Sequence, residues 1–583
     1  MVRSTKVDFK KISKDLGISQ VLCRILVNRG VKNYEDIQRF LYPNLETLYD
    51  PKDMKDIEKA VQIVTNKILH NKKIQIIGDY DVDGIISTYI LYISLLECGA
   101  DVSYEIPDRV NDGYGINKKI IENAKNMGVD TIITCDNGIS ALAQIAYAKE
   151  LGLTVIVTDH HDIPFECDDE GNRTFLASQA DAIINPKQIE CSYPFKSLCG
   201  AGVAFKFIEA LFDVMGMAKQ QVHKLMEFVA IATVCDVVDL VDENRVFVKS
   251  GLEILQKSQN IGLRALINET ALGKKKLTVY ALGFVIGPCL NASGRLDTAK
   301  KGLELLLADS EEKAQLLAKE LYKLNEERKH MTLNGVESAI ETVENMNYKK
   351  DKVFVIYQPE IHESIAGIIA GRIKDKYNVP TILLTNAEEG VKGSGRSIDK
   401  YNMFEELLQC KDLLTKFGGH PMAAGLSLEA ANIEALREKL NKQTLLTEDD
   451  LIQKIYIDIP LPLEYVSFDL VEDLQRLEPF GKGNSKPLFA VKNVSVKKAM
   501  VLGAKNHVLK LILMDQRGKP IEGIYFGDIE GFKIDMINKF GAEELEKILQ
   551  GVSNNVKLDI IFTPAINEYM GNRSLQIQIQ NYR

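Results

Sequence analysis

Between residues 72 and 185, short apolar runs alternate with longer amphipathic stretches. KKIQIIG, DTIITC, LTVIVT and DAIIN each read as a buried strand, and DVSYEI as a further one. Of the segments between them, INKKIIENAKNMG and ISALAQIAYAKELG are amphipathic, and IISTYILYISLLECG is apolar and long enough for a buried helix. Gly128 is placed to close the helix before it. Strands alternating with helices predict an α/β fold with a doubly wound parallel sheet covered on both faces.

The pattern changes outside this region. Residues 1 to about 50 read as short helices, with Asn28-Arg29-Gly30 as a break. After about residue 200 the chain turns helical. From Ser310 to Asn345 it is rich in Glu, Lys, Leu and Ala, lacks Pro and has a single Gly, which predicts a long connecting helix. DKVFVIYQ opens a second α/β unit. From about residue 450, KIYIDIP, LFAVKNVSV, HVLKLILMD, KLDIIFT and LQIQIQ alternate with turn residues, as in a small closed β-barrel. The expected organisation is an N-terminal helical segment (1–55), an α/β domain (56–309), a connecting helix (310–347), a second α/β domain (348–447) and a barrel (448–583).

Three of the predicted strands end in side chains that bind metal. Asp79, Asp81 and Asp83 follow IQIIG, Asp136 follows TIITC, and Asp159-His160-His161 follows TVIVT. Ligands of an open parallel sheet bind at the carboxyl ends of its strands, so these groups are expected to share one crevice. Four or more carboxylates packed together resist ionising unless a cation offsets them. Carboxylates with His favour Mn²⁺ or Mg²⁺. The D-x-D-x-D-G stretch also opens calcium loops, but the bidentate acid such a loop needs at its twelfth position is Ile90 here. One Asp alone would read as a turn or N-cap residue. The combination reads as a metal site.

Composition sets the frame. At 583 residues, with 45 % hydrophobic and 26 % charged side chains, three or four globular domains are expected. The nine cysteines show no C-x-x-C pair, which fits a reducing cytoplasm; Cys135 and Cys235 read as buried small hydrophobes. The opening MVRSTKVDFKKISKDLG carries no signal-peptide pattern. No stretch approaches the roughly 18 apolar residues of a membrane span, so a soluble protein is expected. A net charge of −9 confines any nucleic-acid surface to a local patch. Pro479 to Lys519, with nine Lys or Arg against Asp515, is such a stretch, and it reads equally as a solvated face. There is no G-x-x-x-x-G-K-[ST] loop and no G-x-S-x-G elbow. Gly393-Ser394-Gly395-Arg396 and Phe417-Gly418-Gly419-His420 offer backbone amides beside a cation or imidazole, which suits a phosphate, though each also reads as a plain turn.

Together DYDVDG, CDNG and DHH resemble the motifs of the DHH phosphoesterase superfamily. IATVCDVVDL and NASGR are similar to its fourth and fifth motifs, and GSGRS and FGGHPMAAG to segments of its DHH-associated domain. LEPFGKGNSKPLF resembles the opening of the OB-type barrel of the RecJ family of single-strand-specific 5′→3′ exonucleases. The resemblance covers nearly the whole chain. It implies that Asp81, Asp83, Asp136, His160 and Asp236 hold two divalent ions, Mn²⁺ or Mg²⁺. Asp79 would ligate or orient a ligand, and His161 would sit beside the scissile phosphate. Arg295, Ser394 and Arg396 would grip a 5′-terminal phosphate, with His420 near the same pocket and Arg109 on the strand. It further implies release of mononucleotides from single-stranded DNA with a 5′ end, a role in recombination and repair, and a cytoplasmic monomer served by a helicase and a single-strand-binding protein. Cys289 stands where the family usually has Arg, and Ile361 where it has Trp. With no Trp in the chain, base stacking falls to Tyr, Phe or His. No long extension past the barrel is expected.

Two other readings compete with this one. A superfamily phosphodiesterase for short oligonucleotides or cyclic dinucleotides shares only the two α/β domains. An inactive replication scaffold would have lost metal ligands, and every expected ligand is present.

Overall fold

The computed structural model describes residues 8–583 apart from 110, 111, 114, 168–171, 274, 346, 388, 389, 504–506 and 570. The chain forms two compact units, one of residues 50–236 and 251–454, the other of residues 1–49, 237–250 and 455–583. Among the described residues, no helix is long and apolar enough to cross a membrane.

The larger unit opens with five parallel strands: β1 (Ile74–Ile77), β2 (Val102–Glu105), β3 (Thr131–Cys135), β4 (Thr154–Thr158) and β5 (Ala182–Ile184). Their order is β2-β1-β3-β4-β5, all in parallel register. Helices α1 (Val82–Glu97), α2 (Lys118–Asn126) and α3 (Leu142–Glu150) make the crossovers. The order reverses between β1 and β3, and a doubly wound sheet opens its ligand crevice at such a switch point. β1 and β3 are fully buried, which is why they read as continuous apolar runs. Helices α4 (Gly200–Val214), α5 (Met226–Cys235) and α6 (Gly287–Leu296) follow.

The predicted connecting helix is α7 (Glu311–Asn345), 35 residues and so about 50 Å long. Its buried residues recur at helical spacing, from Ala314 and Leu317 to Ala339 and Val343. Beyond it, β6 (Phe354–Tyr357), α8 (Glu363–Tyr377), β7 (Thr381–Asn386), β8 (Val391–Arg396), β9 (Lys416–His420) and β10 (Ala423–Leu428) build a second sheet ordered β9-β10-β8-β7-β6. Only β6 and β7 are parallel, with α8 as their crossover.

The smaller unit is built on a closed barrel. Strands β11 (Phe489–Leu502), β12 (Val508–Met514), β13 (Pro520–Tyr525), β14 (Lys557–Tyr569) and β15 (Asn572–Tyr582) are ordered β11-β12-β13-β15-β14, and β14 returns to β11. Two expectations change. KIYIDIP contributes only Ile459–Pro460 as strand, the residues from Lys454 to Ile457 lying exposed. β13 is absent from the predicted strands, since it starts on Pro520 and carries Gly523. A Cβ there would lie 2.8 Å from Ile579 Cδ1 and 3.1 Å from Leu513 Cδ1, so glycine lets the side chains of both neighbouring strands close over it. Helices at Ile529–Phe540 and Ala542–Gln550, also outside the prediction, lie between β13 and β14.

The N-terminal helices share the barrel's core: Leu22, Ile25, Leu26 and Ile37 belong to one buried cluster with Leu477, Phe489, Phe532 and Phe562. Arg245 fastens the same unit. Its buried guanidinium donates to the carbonyls of Phe40 (2.7 Å), Arg476 (3.0 Å), Leu477 (2.8 Å), Glu478 (2.6 Å) and Pro479 (3.4 Å). Five carbonyl partners satisfy the buried cation without a carboxylate.

Candidate active site

The turn after β1 brings the first three acids together. Asp81 is the N-cap of α1, its Oδ1 accepting from the amides of Asp83 (2.9 Å) and Gly84 (3.1 Å). A Cβ on Gly84 would stand 2.4 Å from the Asp79 carbonyl oxygen, so the turn closes only with glycine. Asp83, in the first turn of α1, reaches across to the start of α4. Its two oxygens accept from the amides of Gly200 (2.6 Å) and Ala201 (2.8 Å). A helix N-terminus suits a carboxylate.

Asp136 follows β3 with φ +59°, a left-handed conformation that Asp and Asn tolerate best. The turn is tied by Asn137, whose Nδ2 donates to the carbonyls of Ile77 (3.0 Å) and Cys135 (2.8 Å). A Cβ on Gly200 would lie 2.8 Å from the Asp136 Cβ, so this glycine lets α4 approach the acid. Asp236 ends α5 as its C-cap.

After β4, Asp159 is buried and fully engaged. Its Oδ1 accepts from the amides of His160 (2.7 Å) and His161 (3.1 Å) and from His161 Nδ1 (2.7 Å), and its Oδ2 from the amide of Ile139 (2.9 Å). With both oxygens occupied, Asp159 orients the two histidines. Burial works against charge on His161, but the Asp159 carboxylate outweighs it and lifts the imidazole to about 9. Burial likewise opposes ionisation of Asp159, and His161 overcomes it, holding the acid at about 2.

His160 is different. Burial, with the charge of His161, holds its pKa down to about 3, and its ring bonds to the backbone of Leu198. Nε2 has no hydrogen-bond partner, yet stands 3.0 Å from Asp136 Oδ1, 3.7 Å from Asp83 Oδ2 and 3.8 Å from Asp236 Oδ2. A lone pair of neutral imidazole faces three carboxylates.

Ligand atoms gather within 4.8 Å of one another in overlapping groups: Asp83, His160 and Asp236; Asp79, Asp81 and Asp136; and Asp136 with the DHH triplet. Asp136 joins the second group to His160, which stands in the first. Burial, then Asp81, raises Asp79 well above the carboxylate range and Asp83 to about 7. Burial, then Asp83, raises Asp136 well above that range and Asp236 to about 8. Asp79 Oδ1 and Asp236 Oδ2 are buried without a partner. Orphaned oxygens, an imidazole lone pair and mutually repelling acids are what a pair of hard divalent cations would satisfy. The residues fit the expected ions, and Asp79 stands in one group with Asp81 and Asp136.

Beside this cluster lies a cavity of about 860 Å³, lined by Tyr80, Arg109 and Arg295 on one side and by Ser394, Arg396, Lys392 and Lys416 on the other. Arg109 stacks over the Tyr80 ring at 4.1 Å, and its Nε is buried without a partner. Arg295 donates to the Ser364 carbonyl at 2.6 Å; burial, then Arg109, pulls its pKa down to about 9. Arg396 donates to Ser394 Oγ (3.0 Å) and to the Gly395 carbonyl (2.7 Å). Lys392 is paired with Glu363, which also lines the cavity (2.9 Å), but three arginines gathered with Lys416 still call for an anion. The cavity thus brings together Arg109, Arg295, Ser394 and Arg396. His420, by contrast, is exposed at the end of β9, outside the cavity lining.

Lys392, Lys416 and the Gly200–Ala201 amides are absent from the residues that sequence reasoning singles out, and Tyr80 stands there within DYDVDG without a role of its own. For the amides there is a signal, since Gly200 and Gly202 open a long apolar run after Leu198-Cys199. For the lysines there is none.

Comparison with known proteins places this geometry. Residues 73–233 match the model of the DHH family N-terminal domain, 350–444 that of the DHHA1 domain, and 457–581 that of the RecJ OB domain. The chain is 34 % identical over 576 residues to the single-stranded-DNA-specific exonuclease RecJ of Bacillus subtilis, covering 98 % of this chain and 69 % of that one. It is 33 % identical to RecJ of Escherichia coli, covering 96 % and 95 %. The crystal structure of Thermus thermophilus RecJ with Mn²⁺ superposes with a TM-score of 0.81 at 26 % identity, covering 99 % of this chain and 77 % of that one, and the Mg²⁺ complex with 0.76 at 25 %. With relatives above 30 % identity aligned along almost its full length, the chain belongs to the RecJ family of single-stranded-DNA-specific exonucleases.

Proposed function

We propose that this chain is a metal-dependent exonuclease that degrades single-stranded DNA from the 5′ end to mononucleotides, in recombination and repair. The observation that carries the reading is the juxtaposition of two acid groups joined through Asp136 with a cavity lined by Arg109, Arg295 and Arg396. A terminal phosphate held by those cations and by Ser394 would lay the next phosphodiester over the acids.

Asp79, Asp81, Asp83, Asp136, His160 and Asp236 are assigned as ligands. Two Mn²⁺ or Mg²⁺ ions held there supply activation of water and neutralisation of charge on the phosphoryl oxygens. The side chains do the rest. Asp159 holds His161 by Nδ1, leaving Nε2 of a protonated ring to donate a proton toward the leaving 3′ oxygen. The Gly200 and Ala201 amides fix both oxygens of Asp83, so the ligand geometry is set before substrate arrives. The barrel, with Lys486, Lys492 and Lys497 exposed, would carry the rest of the strand. The same reading makes the protein a cytoplasmic monomer that works on strands opened by a helicase and covered by a single-strand-binding protein.

The test is strand selectivity. With Mn²⁺, mononucleotides are expected from a single strand and not from a blunt duplex of the same sequence. Equal release from both would contradict the assignment.

A further inference from the structure

Arg295 sits on a helix whose other end carries two exposed aromatic rings that the site so far does not use. Residues 279–281 form a short helical turn, Leu282–Ile286 a π turn, and Gly287–Leu296 is α6. Tyr280 and Phe284 project from the start of this run, 67 % and 66 % exposed. Their ring centroids are 4.9 Å apart and their planes are inclined by only 19°. Isolated surface hydrophobes need no explanation, but two large rings preorganised in a stack in water present a shared π-face. π turns recur at functional sites, where the extra residue re-aims side chains.

The surroundings point to a nucleic-acid strand. The segment lies hard against the end of α5: a Cβ on Gly283 would meet Val234 Cγ1 at 3.2 Å, and one on Gly287 would meet Cys235 Sγ at 2.2 Å. Those residues immediately precede Asp236. Further along, Asn291 Oδ1 is buried without a hydrogen-bond partner, and Arg295 then enters the cationic cavity. Lys275 and Lys276, just before the rings, are exposed, and among the described residues neither pairs with a carboxylate. Stacked rings that follow two exposed lysines within a few residues supply the two things a single strand needs, a π-face for its bases and cations for its backbone.

We propose that Tyr280 and Phe284 form a stacking platform for bases of the single strand outside the active site, with Lys275 and Lys276 on the adjoining phosphates. The proposal rests on the exonuclease reading and deepens it by naming a second contact with the same substrate. It gives a chain without tryptophan its base-stacking surface.

The test uses the full chain carrying Tyr280→Ala with Phe284→Ala. In EDTA, fluorescence anisotropy with a 3′-labelled oligothymidylate should show affinity weakened about tenfold or more. With Mn²⁺, turnover of a 5′-phosphorylated dinucleotide, which leaves only one nucleoside beyond the scissile bond, should keep its kcat and KM. The swapped pair Tyr280→Phe with Phe284→Tyr should keep wild-type affinity. Unchanged affinity of the alanine pair would overturn the proposal and leave the rings as a protein-facing patch. Equal loss on the dinucleotide would overturn it too, as a structural role. If the wild type cuts no strand at all, the exonuclease reading falls, while the binding comparison in EDTA still decides the platform.

Discussion

His160 Nε2 lies 3.0 Å from Asp136 Oδ1, with the imidazole held on its far side through Leu198. A neutral ring in that position turns its lone pair on a carboxylate, an arrangement that holds only with a proton or a cation between them. Without metal, protons fill this role. Divalent ions held there would take the place of the protons, and the residues would serve as a set of anionic ligands.

The first prediction concerns pH. Asp83 and Asp236 rise from the ordinary 3.8 to about 7 and about 8 through burial and neighbouring acids. Groups raised in the folded state stabilise it fully below their unfolded pKa, and that contribution is lost as pH climbs through the folded values. In EDTA the protein should therefore melt higher at about pH 6 than at about pH 8.5. Saturating Mn²⁺ should raise Tm more at the higher pH, where ligands need not shed protons. A metal-free Tm that climbs from the lower pH to the higher would contradict this.

Asp136→Asn separates chemistry from folding. Asn tolerates the left-handed φ, so the turn should keep its shape. Loss of the acid shared by the ligand groups should cut Mn²⁺-dependent turnover by at least about 100-fold, given that outer partners of ligands alone cost about 10–100-fold. In EDTA the variant should melt no lower than the wild type, since the Asn amide can donate to His160 Nε2 as the protonated acid does. Activity within a few-fold of normal would remove Asp136 from the metal site.

Arg396→Gln tests the cavity. Hydrogen bonds to charged groups are worth about 1.5–3 kcal/mol, so kcat/KM for a 5′-phosphorylated strand should fall about tenfold to a hundredfold. For the same strand with a 5′-hydroxyl it should hardly change. Equal losses on both substrates would show that the cavity does not read the terminal phosphate.

How much of this is legible in the sequence follows from chain distance. Asp79, Asp81, Asp83 and Asp136 are legible because they follow apolar strands directly, and the sheet order then places β1 and β3 side by side at the switch point. Asp236 lies at a helix end and is reached only through resemblance. The cavity draws on residues as far apart as Tyr80 and Lys416, a convergence that no local pattern carries. Arg245 carries no local signal, since the five carbonyls around its buried guanidinium come from distant parts of the chain. β13 is hidden by Gly523, the residue that lets it pack.

The barrel's basic stretch is best tested by charge. Cutting the chain near residue 450 would strip the core that residues 9–41 share with the barrel, so truncation confounds folding with binding. Lys492→Glu with Lys497→Glu leaves that core intact, both side chains being exposed. Affinity for a long single strand should fall, and the salt slope should drop by about 0.7 for each phosphate that the protein no longer neutralises. An unchanged slope would show these lysines to be a solvated face.

The central claim is tested most directly by end-labelled single strands incubated with Mn²⁺, with Mg²⁺ and with EDTA. The account predicts that a 5′ label appears at once as mononucleotide with either metal, that a 3′ label is released only as the strand is consumed, and that EDTA abolishes both. Early release of the 3′ label, or release of either label in EDTA, would contradict it.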